Sequence, residues 1–280
     1  MKRYFLTILA LVALSLAFFP GSASATWSII AVDMETGRLV IASATCAAEG
    51  PDQLKLLQAI VVPGIGVSAA QAGVDRTQAN HRLVFEELQK RTHPEQIIRM
   101  LEDDPEVERR QFGIVDAMGR TAGRTGSGNR DAAAHYAGEA EDGVIFMVQG
   151  NIIASEAAME AAVGVMEDGT MSLTDRVMAA MEATDALGGD ARCTCQTEPL
   201  PGAACNGKTS HVAYILAADP QDPMGRFHAN HPEDLRAPYN NGDYHLYLAV
   251  WPDNTRDHED ANPVRTLRMR YDAWKAEQEG

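Results

Sequence analysis

The sequence predicts an α+β fold in which β-sheets pack against layers of helices. Short apolar strands and amphipathic helices alternate in blocks along the chain, and no segment repeats another. The composition, with 280 residues of which 45% are hydrophobic and 22% charged, is typical of a globular protein with a sizeable core. The formal net charge of -15 disfavours nucleic-acid binding, which requires a basic surface.

Apolar runs separated by turn residues predict β-hairpins in the first half of the chain. The three hairpins pair residues 26–33 with 38–44, 59–62 with 66–71, and 111–116 with 121–125. Between the second and third hairpins, the apolar spacing predicts a helix over 75–91. Thr92 and Glu95 form a capping-box pattern with Pro94 in the first turn, which predicts the start of another helix.

The spacing of apolar residues in the second half of the chain predicts three strands and three helices. The strands cover residues 144–148, 211–217 and 244–250. Ser155 begins one helix, and Ser172 with Asp175 begins another. Residues 263–275 form an amphipathic terminal helix.

Residues 1–25 have the pattern of a secretory signal peptide. A basic start precedes an apolar run from Phe5 to Phe19, and Ala23-Ser24-Ala25 supplies a cleavage site. The apolar run is too short for a membrane-spanning helix, and no later segment is long enough. The sequence therefore predicts a secreted or periplasmic protein with one mature domain, residues 26–280, and no transmembrane segment.

Export makes the four cysteines candidates for disulfide bonds. Cys193 and Cys195 are too close in sequence to bond to each other. Cys46 is therefore expected to bond to one of these two, and Cys205 to the other. The alternative is a zinc site in which His211 joins the last three cysteines, but C-x-C is not a common zinc-finger spacing.

Thr26 is the residue with the clearest chemical potential. Cleavage after Ala25 gives it a free α-amino group at the start of a buried strand. A threonine hydroxyl is a weak nucleophile unless a base removes its proton, and the amine of the same residue can be that base. An α-amino pKa of about 7.7 to 8.0 leaves a neutral fraction near pH 7. Thr26 is thus a candidate catalytic nucleophile; the alternative is a secreted chain that happens to begin with threonine.

Several motifs occur in the order found in one family. They are Thr-Trp-Ser-Ile-Ile-Ala-x-Asp-x-x-Thr-Gly at 26–37, residues 66–72, Phe-Gly-Ile-Val-Asp-Ala-x-Gly-Arg at 112–120, Thr125-Gly126, residues 149–152, Gly-Gly-Asp-x-Arg at 188–192, and Asp257-His258 followed by Pro263-Val264. Over residues 26–275 the chain resembles the bacterial and archaeal domain-of-unknown-function family assigned to the Ntn-hydrolase (N-terminal nucleophile) fold.

This resemblance implies a four-layer αββα sandwich of two packed, mainly antiparallel sheets flanked by helices. The N-terminal strand would present Thr26 at one end of the two sheets. The implied chemistry is hydrolysis of an amide bond through an acyl-enzyme, with no cofactor. Gln71, which lies within one of the shared motifs, is a candidate substrate-binding residue.

Further site residues follow from the needs of this chemistry. Asn151 is predicted to donate a hydrogen bond to the oxyanion, and its alternative role is that of an asparagine in a turn. Asp190 is predicted to orient the Thr26 amine or a substrate ammonium group, and its alternative is a solvated loop carboxylate. Ser43 is predicted to face Thr26. Arg192 is predicted to bind a substrate carboxylate or, alternatively, to pair with Asp190.

Two segments, residues 193–208 and 227–243, are predicted to be inserts relative to the family pattern. The first contains three cysteines and is interpreted as a disulfide-pinned flap over the site. The second contains His228 and His231, an H-x-x-H pair. Pro232 argues against the helix that usually carries such a metal-binding pair, so no metal site is predicted.

The leading functional hypothesis is a secreted Ntn-type amidohydrolase whose partner is a small amide or peptide substrate. The alternative is a non-catalytic secreted domain of the same fold that binds a ligand or a component of the cell envelope. The two hypotheses differ at Thr26, because only catalysis requires its free α-amino group. The sequence is compatible with a homo-oligomer.

Overall fold

The computed structural model describes residues 26–46, 53–129, 132–193, 207–225 and 238–280. The predicted signal peptide, most of both predicted inserts, and Cys195, Cys205, His228 and His231 lie outside these residues. Within them the chain forms ten β-strands and six α-helices.

The strands follow the predicted order, with one addition. They are β1 (Thr26–Asp33), β2 (Leu39–Thr45), β3 (Ala59–Val62), β4 (Gly66–Ala72), β5 (Arg110–Asp116), β6 (Thr121–Thr125), β7 (Ala134–Glu139), β8 (Val144–Asn151), β9 (Val212–Ala218) and β10 (Leu246–Val250). Strand β7 was not predicted, because its sequence Ala-His-Tyr-Ala-Gly-Glu lacks an apolar run and it lies at a partly exposed sheet edge.

The helices include each predicted one and a short additional one before β3. They are α1 (Gln53–Gln58), α2 (Ala79–Gln89), α3 (Pro94–Leu101), α4 (Glu156–Met166), α5 (Leu173–Ala186) and α6 (Pro263–Glu279). In the described parts of the chain, no helix has both the length and the apolar character needed to cross a membrane.

The strands form two antiparallel sheets. The larger has the order β10-β9-β2-β1-β8-β7, and the smaller has the order β3-β4-β5-β6. Each neighbouring pair is antiparallel, so the predicted hairpins all occur. Strand β1 is central in the larger sheet, between β2 and β8.

Three apolar clusters separate four layers. On β1, Ile30 packs between the two sheets, whereas its neighbour Ile29 points to the opposite face and belongs to the apolar cluster formed with α4, α5 and α6. On the smaller sheet, Phe112 points outward and packs with Leu88 of α2 and Ile97 of α3. This alternation follows from the two-residue period of a strand. The order of layers is helix, sheet, sheet, helix, which confirms the predicted αββα sandwich.

Helix α2 begins at Ala79, four residues later than predicted. The Asp75 carboxylate accepts hydrogen bonds from the backbone N–H of Thr77 at 2.9 Å and of Asn80 at 3.0 Å. Gln78 adopts a left-handed conformation with φ of 55°. These contacts hold a turn where the apolar spacing alone predicted helix.

Helix α3 is capped by His93 and not by Thr92. Nδ1 of His93 accepts a hydrogen bond from the backbone N–H of Glu95 at 3.3 Å. The Thr92 hydroxyl instead donates to Glu87 at 2.6 Å. The predicted capping box was therefore wrong, although Pro94 does occupy the first turn.

Candidate active site

Thr26 begins β1 at one end of the larger sheet. It pairs with Asn151 on β8, and its hydroxyl donates to the Thr45 hydroxyl on β2 at 3.4 Å. Residues directly opposite each other in an antiparallel pair point to the same face. Thr26, Thr45 and Asn151 therefore all point into the space between the two sheets, where Thr26 is only 2% exposed.

The space between the sheets changes from apolar to polar towards Thr26. Ile30 and Val32 of β1 pack in the apolar part, whereas Ser28 and Thr26, on the same face, lie in the polar part. Most of the buried polar side chains at this end are uncharged, and the Asp190 carboxylate described below is an exception. The uncharged ones are Ser28, Ser43, Gln58, Gln71, Gln111, Gln149, Asn151 and Tyr214. Buried polar groups that bond to one another specify one arrangement, so this end of the fold is geometrically defined.

Gln71 lies at the centre of this polar network. Its Nε2 donates to the Thr26 main-chain carbonyl at 2.9 Å and to Gln111 Oε1 at 2.7 Å. Its Oε1 accepts from the Ser28 hydroxyl at 2.7 Å and from Gln58 Nε2 at 2.7 Å. These four bonds use the whole hydrogen-bonding capacity of the amide. Gln71 therefore holds the Thr26 backbone, and its role in substrate binding stays a prediction.

Replacing Gln71 with leucine is expected to lower the free energy of unfolding by about 3 kcal/mol, because buried donors and acceptors lose their partners. Urea unfolding followed by circular dichroism measures the change. Gln96→Leu, at an exposed position on α3, is the matched control and should change the free energy by less than about 0.5 kcal/mol. A Gln71→Leu protein as stable as the control would show that the network does not stabilise this end of the fold.

Asp190 and Arg192 form an ion pair close to Thr45. Nη2 of Arg192 lies 2.7 Å from Asp190 Oδ2, and Nε lies 3.1 Å from Oδ1. The buried Asp190 carboxylate also accepts from the Cys46 backbone N–H at 2.7 Å. Nη2 of Arg192 lies 3.4 Å from the hydroxyl oxygen of Thr45, which in turn contacts Thr26. The observed geometry is thus the alternative in which Arg192 pairs with Asp190, and the pair reaches Thr26 through Thr45.

Ser43 and Asn151 differ in their relation to Thr26. The Ser43 hydroxyl donates to the Trp27 carbonyl at 2.7 Å, so it ties β2 to β1 next to Thr26. Asn151 donates through Nδ2 to Gln111 Oε1 at 3.3 Å, and its Oδ1 is buried without a partner. Its amide therefore retains capacity to bond a further group on the face that Thr26 shares.

A disulfide bond between Cys46 and Cys193 links the end of β2 to the loop that carries the ion pair. Cys46 follows Thr45 directly, and Cys193 follows Arg192. This bond is one of the two pairings predicted for Cys46, and it opposes the zinc-site alternative because Cys193 is not a free thiol. Among the described residues, no three His, Cys, Asp or Glu side chains are grouped in a way that could hold a metal ion.

A cavity that is open to solvent on one side lies next to Thr26, and about 490 Å³ of space, part of it open solvent, lies between its walls. It is bounded by α1, β4, the loop that follows β4, and the start of α2. Its apolar lining residues are Leu54, Leu57, Ala70, Ala72, Val74 and Phe112, and its polar ones include Gln71, Asp75, Asn80, His81 and Arg110. Of the site residues predicted from the sequence, Thr26 and Gln71 line the cavity, whereas Ser43, Asn151, Asp190 and Arg192 do not.

The loop between β4 and α2 is held in a strained conformation at both ends. Ala72 and Gln78 have φ of 71° and 55°, in the left-handed region that disfavours residues other than glycine. A Cβ at Gly73 would lie 2.8 Å from the Arg109 carbonyl, so only glycine fits there. Such strain persists where the surrounding structure determines the backbone, and it is common at functional sites.

Both charged groups of the cavity already bond to other parts of the protein. Nε of Arg110 lies 3.0 Å from Asp104 Oδ2, which also accepts from Asn80 Nδ2 at 2.6 Å. Burial opposes the ionisation of Asp75, but hydrogen bonds from Thr77 and the Asn80 backbone outweigh it and lower the pKa of Asp75. Asp75 is therefore ionised, and both it and Arg110 are held by the protein.

His81 is a buried, uncharged group in the cavity wall. It is 2% exposed, and neither ring nitrogen makes a hydrogen bond of good geometry, although a contact with the Leu57 backbone raises its pKa. Burial lowers the pKa of His81 to about 4, although the nearby Asp75 carboxylate opposes the shift. At neutral pH the imidazole therefore offers one N–H donor and one nitrogen acceptor. Sequence reasoning missed His81, because a lone histidine on a predicted helix does not indicate a cavity.

Comparison with known proteins assigns the chain to a family. Residues 26–204 match the family of unknown function DUF1028. The chain belongs to this family. A solved structure of a DUF1028 protein from Silicibacter pomeroyi has a similar fold, with a TM-score of 0.62 and 20% sequence identity over 89% of each chain. No curated protein matches this DUF1028 chain.

Sequence reasoning in this DUF1028 protein also missed two residues that are linked to Thr26, Thr45 directly and Gln111 through Gln71. Thr45 could have been found from the sequence. In the hairpin that closes at Asp33 and Arg38, the residue of β2 that lies opposite Thr26 is Thr45. Gln111 could not have been found in this way, because it belongs to the other sheet and meets Gln71 and Asn151 only when the two sheets pack.

Proposed function

We propose that this DUF1028 protein is a secreted or periplasmic amidohydrolase that uses Thr26 as an N-terminal nucleophile on a small amide or peptide. The observation that carries the proposal is the placement of Thr26 at the start of β1, beside the cavity, with its backbone held by Gln71. The family match also begins at residue 26. Removal of residues 1–25 supplies the free α-amino group that the chemistry needs.

In the proposed reaction, Thr26 Oγ1 attacks the amide carbonyl carbon while the α-amino group of Thr26 accepts the hydroxyl proton. The amide C–N bond then breaks, the proton passes to the leaving amine, and the acyl group stays on Oγ1 as an ester. A water molecule, deprotonated by the same amine, adds to the ester. The acid leaves, and the threonine hydroxyl is restored.

Neighbouring groups support the two halves of this reaction. The Thr45 hydroxyl, 3.4 Å from Thr26 Oγ1, orients the nucleophile, and the Asp190–Arg192 ion pair positions Thr45. The Asn151 amide lies on the same face, directly across the β1–β8 pair. One hydrogen of its Nδ2 bonds to Gln111, and the second donates to the charge that develops on the substrate oxygen.

Covalent labelling tests the proposal. The exported protein should begin at Thr26 when its N-terminus is sequenced. A peptide epoxyketone, which reacts with both the hydroxyl and the amine of an N-terminal threonine, should add once, at Thr26, as measured by intact mass and peptide mapping. A protein that retains Ala25 before Thr26 is the control and should not react, because its threonine has no free amine.

The alternative is a non-catalytic secreted domain that binds a small molecule in the same cavity. The observation that favours it is the low exposure of Thr26, at 2%, beside a largely apolar cavity. In that case the exported protein would bind small amides without consuming them, and the epoxyketone would not label it. An exported chain that begins at any residue other than Thr26 would favour this alternative.

A further inference from the structure

We propose that the cavity binds the acyl part of the substrate and that His81 selects acyl groups that end in an uncharged hydrogen-bonding group. A primary carboxamide is such a group and serves as the test case. This proposal rests on the amidohydrolase proposed above, since it names the substrate class of the same site. It assigns His81 the role of a specificity-determining residue.

The first argument is the unused bonding capacity of His81. Both ring nitrogens are buried, and neither makes a hydrogen bond of good geometry. A contact with the Leu57 backbone can involve only one of them, so the other has no partner, which is unusual for polar atoms inside proteins. The ring is held in place beside Tyr239, with ring centroids 6.1 Å apart. Because His81 and Thr26 line the same cavity, a substrate bound there can complete the missing hydrogen bonds.

The second argument concerns charge. The cationic group of the cavity, Arg110, is paired with Asp104, and its anionic group, Asp75, already accepts hydrogen bonds from Thr77 and Asn80. An anionic acyl group would lose its hydration without gaining an unpaired cation. A cationic acyl group would compete for the Asp75 carboxylate with the hydrogen bonds that this group already accepts. A neutral imidazole bonds an uncharged donor or acceptor equally well, because its proton can reside on either nitrogen.

The third argument is the lining between the two polar ends. Leu54, Leu57 and Phe112 contribute apolar surface to the cavity that also contains Thr26 and His81. Apolar walls with a few placed polar groups are typical of small-molecule sites, in which the polar groups determine orientation. An aliphatic stem with a terminal carboxamide therefore matches the lining better than a short or charged group.

Kinetics on matched substrates test this assignment. Four N-acetylated aminoacyl amides of a fluorescent amine, with glutamine, methionine, glutamate or lysine as the acyl residue, have stems of similar length and differ in the terminal group. The mature protein should hydrolyse the glutamine substrate with a kcat/KM at least about 10-fold above that for glutamate or lysine.

Variants of His81 separate recognition from folding. His81→Phe should lower kcat/KM for the glutamine substrate about 10-fold and change that for methionine by less than about 3-fold. His81→Asn, which retains a donor and an acceptor, should recover part of the glutamine preference. His258→Phe, at an exposed position, is the control and should leave all four values unchanged. An equal loss for glutamine and methionine in His81→Phe would overturn the assignment.

A binding measurement distinguishes failure of this assignment from failure of the proposed function. If the mature protein hydrolyses none of the four substrates, the amidohydrolase proposal fails. Titration calorimetry with the same four compounds then tests the cavity alone. Tightest binding of the glutamine compound, lost in His81→Phe, supports the role of His81. Equal binding of all four compounds, or no binding, overturns it.

Discussion

Thr26→Ala is expected to lower kcat/KM for amide hydrolysis by more than about 10³-fold, because it removes the attacking oxygen and leaves no substitute. Folding should be almost unaffected, since the lost hydroxyl makes only a long contact of 3.4 Å with Thr45. Steady-state turnover and urea unfolding measure the two effects on protein whose N-terminus has been verified by sequencing.

Thr26→Ser is the matched control for this experiment. Serine keeps both a hydroxyl and the α-amino base, so activity should remain well above that of Thr26→Ala. The loss of the β-methyl group frees the side-chain rotamer, and we expect a moderate reduction. Turnover by Thr26→Ala at the rate of the unmodified protein would refute Thr26 as the nucleophile.

Loss of the Cys46–Cys193 disulfide is expected to lower the free energy of unfolding by about 2–5 kcal/mol. The bond joins residues separated by 147 positions, so it strongly restricts the unfolded chain. Cys46→Ala, Cys193→Ala and the double variant should show the same loss, because each of them removes the same bond. Urea unfolding under oxidising conditions measures it.

Reduction of the unmodified protein is the control for these cysteine variants. In the presence of a strong reductant its stability should fall to that of the double variant in the same reductant, a comparison that cancels the effect of the predicted bond between Cys195 and Cys205. Activity should fall as well, because the bond joins the residue after Thr45 to the residue after Arg192. A double variant as stable as the oxidised protein would contradict the stabilising role of this disulfide.

Local sequence patterns were sufficient for most of the fold. Alternation along β1 predicts that Thr26, Ser28 and Ile30 share a face, because successive side chains of a strand point to opposite sides. Strands, helices and their order followed from such periodicities. Two elements without a clear apolar period, β7 and α1, were missed. The other errors lie at boundaries, as at Gln78 and His93, where side chains bond to nearby backbone groups and override the apolar spacing.

The sequence by itself determined the family, the layered fold, and Thr26 as the residue with nucleophilic potential. Only the tertiary structure decided which groups surround Thr26. The side chains that meet there come from both sheets. Gln71 and Thr26 are 45 residues apart in the sequence, and Gln111 is 40 residues from both Gln71 and Asn151. His81 gains its role because α2 packs it into a cavity wall. The period of the apolar residues shows which face of a strand or helix is buried. Which side chains that face contacts depends on how whole sheets and helices pack.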